Sequence, residues 1–197
     1  MNKALHGVMQ RVHFAHGESY DRKAAVVFRS LYRRVAEDLA AAAPEGGTVL
    51  DAGCGSGRLA VEIAHRRPDL RIHGIDLERG MVDVATRHAE REGLTDRVEF
   101  TIADLADLAD LPLPDDSVDL VVSTASMHHW TDVGAAVASL GRVLRPDGRI
   151  WIYDLRPVSS GSLRAASSGL GRRVDRTLVR TGWFPAALYQ RLALEPA

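Results

Sequence analysis

Apolar positions along this chain fall into two rhythms that alternate with one another. Val27, Leu31, Val35 and Leu39 recur every fourth residue, with Phe28 and Tyr32 widening the stripe and Arg29, Arg33 and Glu37 on the other side. That spacing predicts a helix with one buried face, capped by Ser19 or Asp21, running to about Ala42 and stopped by Pro44 and Gly46-Gly47. Thr48, Val49 and Leu50 then read as a buried strand, followed by a turn with glycines at 53, 55 and 57. Leu59, Ala60, Ile63 and Ala64 return to helical spacing before Pro68. The alternation continues with a strand at 71–76, a helix at 79–92 carrying Met81, Val82, Ala85 and Ala89, and a strand at 98–103. The L-A-D triplets at 105–107 and 108–110 suggest a short helical stretch closed by Pro112 and Pro114. A strand at 118–123 whose apolar run reads as fully buried, a helix from about Asp132 to Leu144 and a strand from Arg149 to Leu155 complete the series. Strand and helix alternating in this way predict a Rossmann-like α/β three-layer sandwich, a mostly parallel sheet with helices on both faces.

Right-handed crossovers bring the C-terminal ends of parallel strands to one edge, and ligands bind there. Asp51, Asp76, Asp104, Ser123 and Asp154 all fall at such ends. The stretch V-L-D-A-G-C-G-S-G-R at 49–58 is strand, glycine turn and helix start, where bare backbone and unpaired N–H groups can meet a nucleotide. A dinucleotide loop wants G-x-G-x-x-G; here the third glycine comes one residue early. An acid about 20 residues beyond the glycines is placed to accept two ribose hydroxyls, and Asp76 holds that position. The alternative is a cap for the helix that follows.

These motifs resemble class I S-adenosylmethionine-dependent methyltransferases, in particular the ubiquinone/menaquinone-type subgroup. The likeness rests on the glycine loop, on V-D-L-V-V-S at 118–123, on the H-H-W that follows and on L-R-P-D-G-R-I-W-I at 144–152, and it spans about residues 19–157. It implies S-adenosylmethionine as cofactor, held by Asp51, Ala52, Gly53, Cys54, Gly55 and Gly57, with Asp76 and Leu77 at the ribose. Met81, Asp104 and Leu105 would meet the adenine, Ser123 would stand at the fourth strand's end, and Tyr20, in the Y-D pair that opens the first helix, would border the cofactor. Met81 fits equally as core. His128, His129 and Asp154 are the candidates for a catalytic base. The acceptor expected is a small molecule, methylated on O, N or C. The fourth strand ends in S-T-A-S, without the N/D-P-P-Y/F loop of enzymes that methylate planar amino groups, and no Pro-Cys loop for cytosine methylation is present. A cofactor-binding but idle partner subunit and an NAD-dependent oxidoreductase are the alternatives. The latter lacks a Tyr-x-x-x-Lys pair.

Composition narrows the rest. The 197 residues suit a single domain: an N-terminal arm at 1–18, a core at 19–157 and a variable segment at 158–197. Net charge is −1, which gives no general pull toward nucleic acid or membrane. Of 25 basic residues only Lys3 and Lys23 are lysines, a bias that suggests a GC-rich bacterium. The lone Cys54 rules out a disulfide framework and a thiolate metal site, and no metal is expected. No signal peptide or membrane span is legible, so a cytoplasmic enzyme is expected. The arm carries His6, His13 and His16 and reads as a frayed segment or a flap over the ligand. The tail reads as flexible serine-glycine stretches around a helix with Arg172, Arg176 and Arg180 on one face. Gly182-Trp183-Phe184 resembles the turn of the family's closing hairpin, and 187–194 could form one strand. Room for a second is not evident, so the hairpin appears abbreviated, and a homodimer or a partner chain could complete the sheet.

Overall fold

A computed structural model describes residues 28–107, 111–156, 160–181 and 187–196. Seven strands form one sheet in the order β3-β2-β1-β4-β5-β7-β6. These are β1 (Thr48–Ala52), β2 (Arg71–Asp76), β3 (Val98–Ile102), β4 (Val118–Thr124), β5 (Leu144–Leu155), β6 (Arg172–Val179) and β7 (Tyr189–Pro196). The first five run parallel, and β7 lies antiparallel between β5 and β6. The central strands β1 and β4 are mostly apolar and buried because helices cover both of their faces.

One face carries α1 (Arg29–Ala42), α2 (Arg58–Arg66) and α3 (Arg79–Arg91), the other α4 (Val133–Val143) and α5 (Gly161–Gly169). The α1 stripe is as its spacing predicts: Leu31, Val35, Ala36 and Leu39 are fully buried. Burying a leucine contributes about 2 kcal/mol, so this stripe is what anchors the helix. The expected start at Ser19 or Asp21 lies outside the described residues, as do the N-terminal arm, Tyr20, the second L-A-D triplet and Gly182-Trp183-Phe184. Asp132 caps α4, its Oδ1 accepting from Ala135 N at 2.9 Å.

Three expectations fail beyond Leu155. The closing hairpin is complete: β6 pairs with β7 from Arg172↔Pro196 to Val179↔Tyr189. Arg172 and Arg176 lie on a strand, and Arg180 follows its end. The four-residue arginine spacing suggests a helix, but β6 is the sheet's edge, buries only Val174 and Val179, and so shows almost no hydrophobic alternation. The serine-glycine stretch is α5, seated on Leu163 and on buried Ser167, whose hydroxyl donates to Leu163 O at 2.6 Å. β5 also starts earlier than expected. Its register jumps from Val118↔Leu144 to Leu120↔Arg149, so Arg145–Gly148 bulge out of the strand. Among the described residues no helix is long and apolar enough to cross a membrane.

Candidate functional site

The glycine loop is held by β2. Gly53 N and Cys54 N both donate to Ile75 O at 2.9 Å. Asp76, at the end of β2, accepts Gly55 N on Oδ2 at 2.8 Å and Glu78 N on Oδ1 at 3.0 Å. Its carboxylate therefore ties the loop to the approach of α3, whose N-cap is Glu78 and not Asp76. A carboxylate oxygen accepts more than one donor, so these bonds leave capacity toward a ligand.

Each glycine has a different reason. Gly53, at φ 77°, lets β1 approach the loop after β4: an added Cβ would fall 2.0 Å from Ser126 Oγ. Gly57, at φ 74°, begins α2 with its Cα against Phe100 and Ala85. Gly55, at φ 52°, has nothing within 4 Å of an added Cβ. Its bare backbone faces open space, as a cradle for a ligand should.

That space is a cavity of about 380 Å³ at the C-terminal edge of the sheet. Asp51, Gly53, Cys54, Gly55, Asp76, Leu77, Met81, Asp104, Leu105 and His129 line it, as the sequence places them. Five expected residues do not. Gly57 is used up in packing, Ala52 is fully buried in the core, and Ser123 is fully buried with its hydroxyl unpartnered. His128 and Asp154 also stand outside the lining. Asp154 is fully buried and takes His128 Nδ1 at 2.9 Å, His128 N at 3.1 Å and Leu155 N at 2.8 Å. Three donors on one carboxylate hold it in place. Asp154 is therefore a poor base for a cavity it does not reach, and an effective holder of His128. The two histidine rings lie 4.0 Å apart, which sets His129 on the wall.

Sequence reasoning passed over Tyr32 of α1 and Phe28 just before it as lining, and also Glu78, Ser126, Trp130 and Asp132. The T-A-S-M-H-H-W stretch signalled that this loop matters, but not which side chains turn inward. Ala125 at φ 52° makes that turn; its N–H donates to Tyr153 O at 2.7 Å. Trp130 Nε1 then donates to Ser126 Oγ at 3.3 Å.

The electrostatics are one-sided. Asp51, Asp76, Glu78, Asp104 and Asp132 line the cavity, and no Lys or Arg among the described residues does. Asp51 is buried, its Oδ2 has no hydrogen-bond partner, and burial followed by repulsion from Asp76 pushes its carboxyl up to about 7. Burial, then Asp51 and Asp76, raise the Cys54 thiol well above its usual value, so it stays protonated and fills space. The donor set fits a cationic nucleoside ligand such as S-adenosylmethionine: open backbone at Gly55, an acid at a ribose distance along the chain and an orphaned carboxylate oxygen.

The methyltransferase-domain family profile matches residues 49–148, half of the chain. Methyltransferase GfsG of Streptomyces halstedii is 41% identical over 110 residues, 56% of this chain and 38% of that protein. The 27-O-demethylrifamycin SV methyltransferase of Amycolatopsis mediterranei is 34% identical over 134 residues, 68% of this chain and 48% of that one. The chain thus spans less than half the length of these two curated relatives. Among solved structures, one described as an S-adenosyl-L-methionine-dependent methyltransferase from Methanococcus maripaludis superposes with a TM-score of 0.76 at 19% identity, over 91% of each chain. Such a likeness shows the fold. Together with the profile match and the cavity it shows that the chain belongs to the methyltransferase-domain family, on the class I fold whose cofactor is S-adenosylmethionine.

Proposed function

We propose that this protein transfers the methyl group of S-adenosylmethionine to O, N or C of a small molecule. The observation that carries this is the convergence of the open Gly55 backbone, Asp51 and Asp76 on one acid-lined cavity. When bound, the cofactor supplies a methyl group already activated by its sulfonium. The chain's part is to bind, orient and exclude water. Asp76 accepts the ribose hydroxyls, while Asp104 with Leu105, Leu77 and Met81 receives the adenine. Gly53, Gly55 and Asp51 meet the amino-acid end, with Asp51 facing its ammonium. Tyr20 and the arm before it are assigned to the cofactor's outer side by resemblance alone.

His129 is the histidine placed to touch an acceptor, and the His128–Asp154 pair positions it. A hydroxyl acceptor fits a neutral imidazole that can take its proton, and the rifamycin-modifying relative acts, by its name, at such an oxygen. A bacterial, cytoplasmic enzyme working on its own is the accompanying reading. The idle-subunit alternative loses its motive, since the chain supplies both closing strands itself.

Calorimetric titration with S-adenosylhomocysteine tests this on the wild type and Asp76→Ala. Micromolar binding that the substitution weakens by about 30-fold, as loss of charge-assisted hydrogen bonds implies, would support it. A folded wild type that gives no heat would end it. Transfer of labelled methyl to a panel of phenols, amines and polyketide alcohols then identifies the acceptor.

A further inference from the structure

Asp51 stands apart from the other acids of the cavity. Asp76 has backbone donors on both oxygens, and Asp104 receives Ala106 N at 2.8 Å. Asp132 is a helix cap. Asp51, at 2% exposure, has an oxygen that is buried and meets no donor. Among the described residues, the ionisable groups that share the cavity with it are Asp76 at the end of β2, Cys54 in the glycine loop, and Glu78 and Asp104 beyond. From the opposite wall come His129 and Asp132, and from α1 the phenol of Tyr32. None of these is a fixed cation.

A carboxylate in that setting is desolvated and repelled, and no donor compensates its buried Oδ2. We propose that Asp51 is a proton-exchange site: the free protein holds a proton there, and an amine-bearing ligand binds by displacing it. This rests on the cofactor assignment given above. The ligand's ammonium supplies the missing charge and the missing donors. Asp51 loses its proton to the buffer, and the new ion pair is what the pocket recognises. Asp51 thereby distinguishes amino-acid-bearing nucleosides from the same nucleoside without that end, and it does so more sharply at neutral than at acid pH.

The direction agrees with the carboxyl lying near 7 in the free protein. Below that value each ligand bound must expel a proton, so affinity falls as pH falls; above it the site is already ionised and affinity levels off. For S-adenosylhomocysteine, binding at pH 5.5 should be about 20-fold weaker than at pH 7.5.

The test is calorimetry at pH 6 in buffers of different ionisation heat, with affinity followed from pH 5.5 to 7.5. S-adenosylhomocysteine should release close to one proton on binding. 5′-Methylthioadenosine, which carries no amino-acid end, should release none and bind without that pH dependence. Asp51→Asn should bind S-adenosylhomocysteine with neither release nor slope. Equal release by both ligands, or release that persists in Asp51→Asn, would overturn the proposal by placing the proton elsewhere. If Asp51→Asn does not fold, the comparison of the two ligands on the wild type decides alone. Failure of S-adenosylhomocysteine to bind at any pH would instead sink the cofactor assignment, and this inference with it.

Discussion

The two halves of the sheet's C-terminal edge are built on different principles. Around β1, β2 and β3 the cavity wall is mostly backbone and short acids, fixed by local hydrogen bonds such as Gly55 N to Asp76. Around β4, β5 and β7 it is side chains held by other side chains: Asp154 grips His128, the His128 ring lies tilted against that of His129, and Trp130 reaches Ser126. The first half depends on a few residues at set spacings. The second depends on contacts between segments far apart in sequence, and it can be rebuilt for a new acceptor without disturbing the first.

Substitutions should separate the halves. The largest effect is expected from Asp154→Ala, which leaves a buried histidine without its anchor. Chemical denaturation should show a loss of about 3–5 kcal/mol, while S-adenosylhomocysteine affinity of the folded fraction stays within about twofold. An affinity loss as large as that of Asp76→Ala would mean that the halves are not independent. Gly53→Ala should fail on both counts, since its Cβ collides with Ser126 and its φ is positive. A stability loss of about 3 kcal/mol with abolished binding is expected, read by thermal melts with and without ligand.

The pH dependence of the free protein sharpens the first half further. The folded state keeps a proton on Asp51, with its carboxyl near 7, where the unfolded chain has already lost it above the ordinary 3.8. Stability attributable to Asp51 should therefore fall as pH rises, by about 2 kcal/mol between pH 5 and 7, and Asp51→Asn should remove that slope. An opposite slope in the difference between the two proteins would place a cation near this acid. The smallest effect is assigned to Arg176→Gln on β6, an exposed position, at within about 0.5 kcal/mol and with no change in ligand affinity.

What was legible follows the same division. The five parallel strands and their helices were readable because central strands buried on both faces leave short apolar runs, as Leu120, Val121 and Val122 do in β4. The cofactor side was readable because Gly53, Gly55, Asp51 and Asp76 act through backbone geometry that spacing encodes. Gly57 and Ser123 were misplaced for a shared reason: proximity to the edge in sequence does not say which way a residue turns. The edge hairpin was missed because β6 needs few apolar residues, and the arginine period there is an accident of a polar strand.

The position of β7 bears on how the chain assembles. The last described strand in sequence sits between two that precede it, and among the described residues β6 has no neighbour in the sheet except β7. During synthesis β6 therefore emerges before the only surface it can pair with, and the parallel half with its ligand loop can be in place while the antiparallel end is still unpaired. Folding should finish from the cofactor side outward, the acceptor side closing last, when β7 slots between its neighbours and carries β6 into the sheet with it.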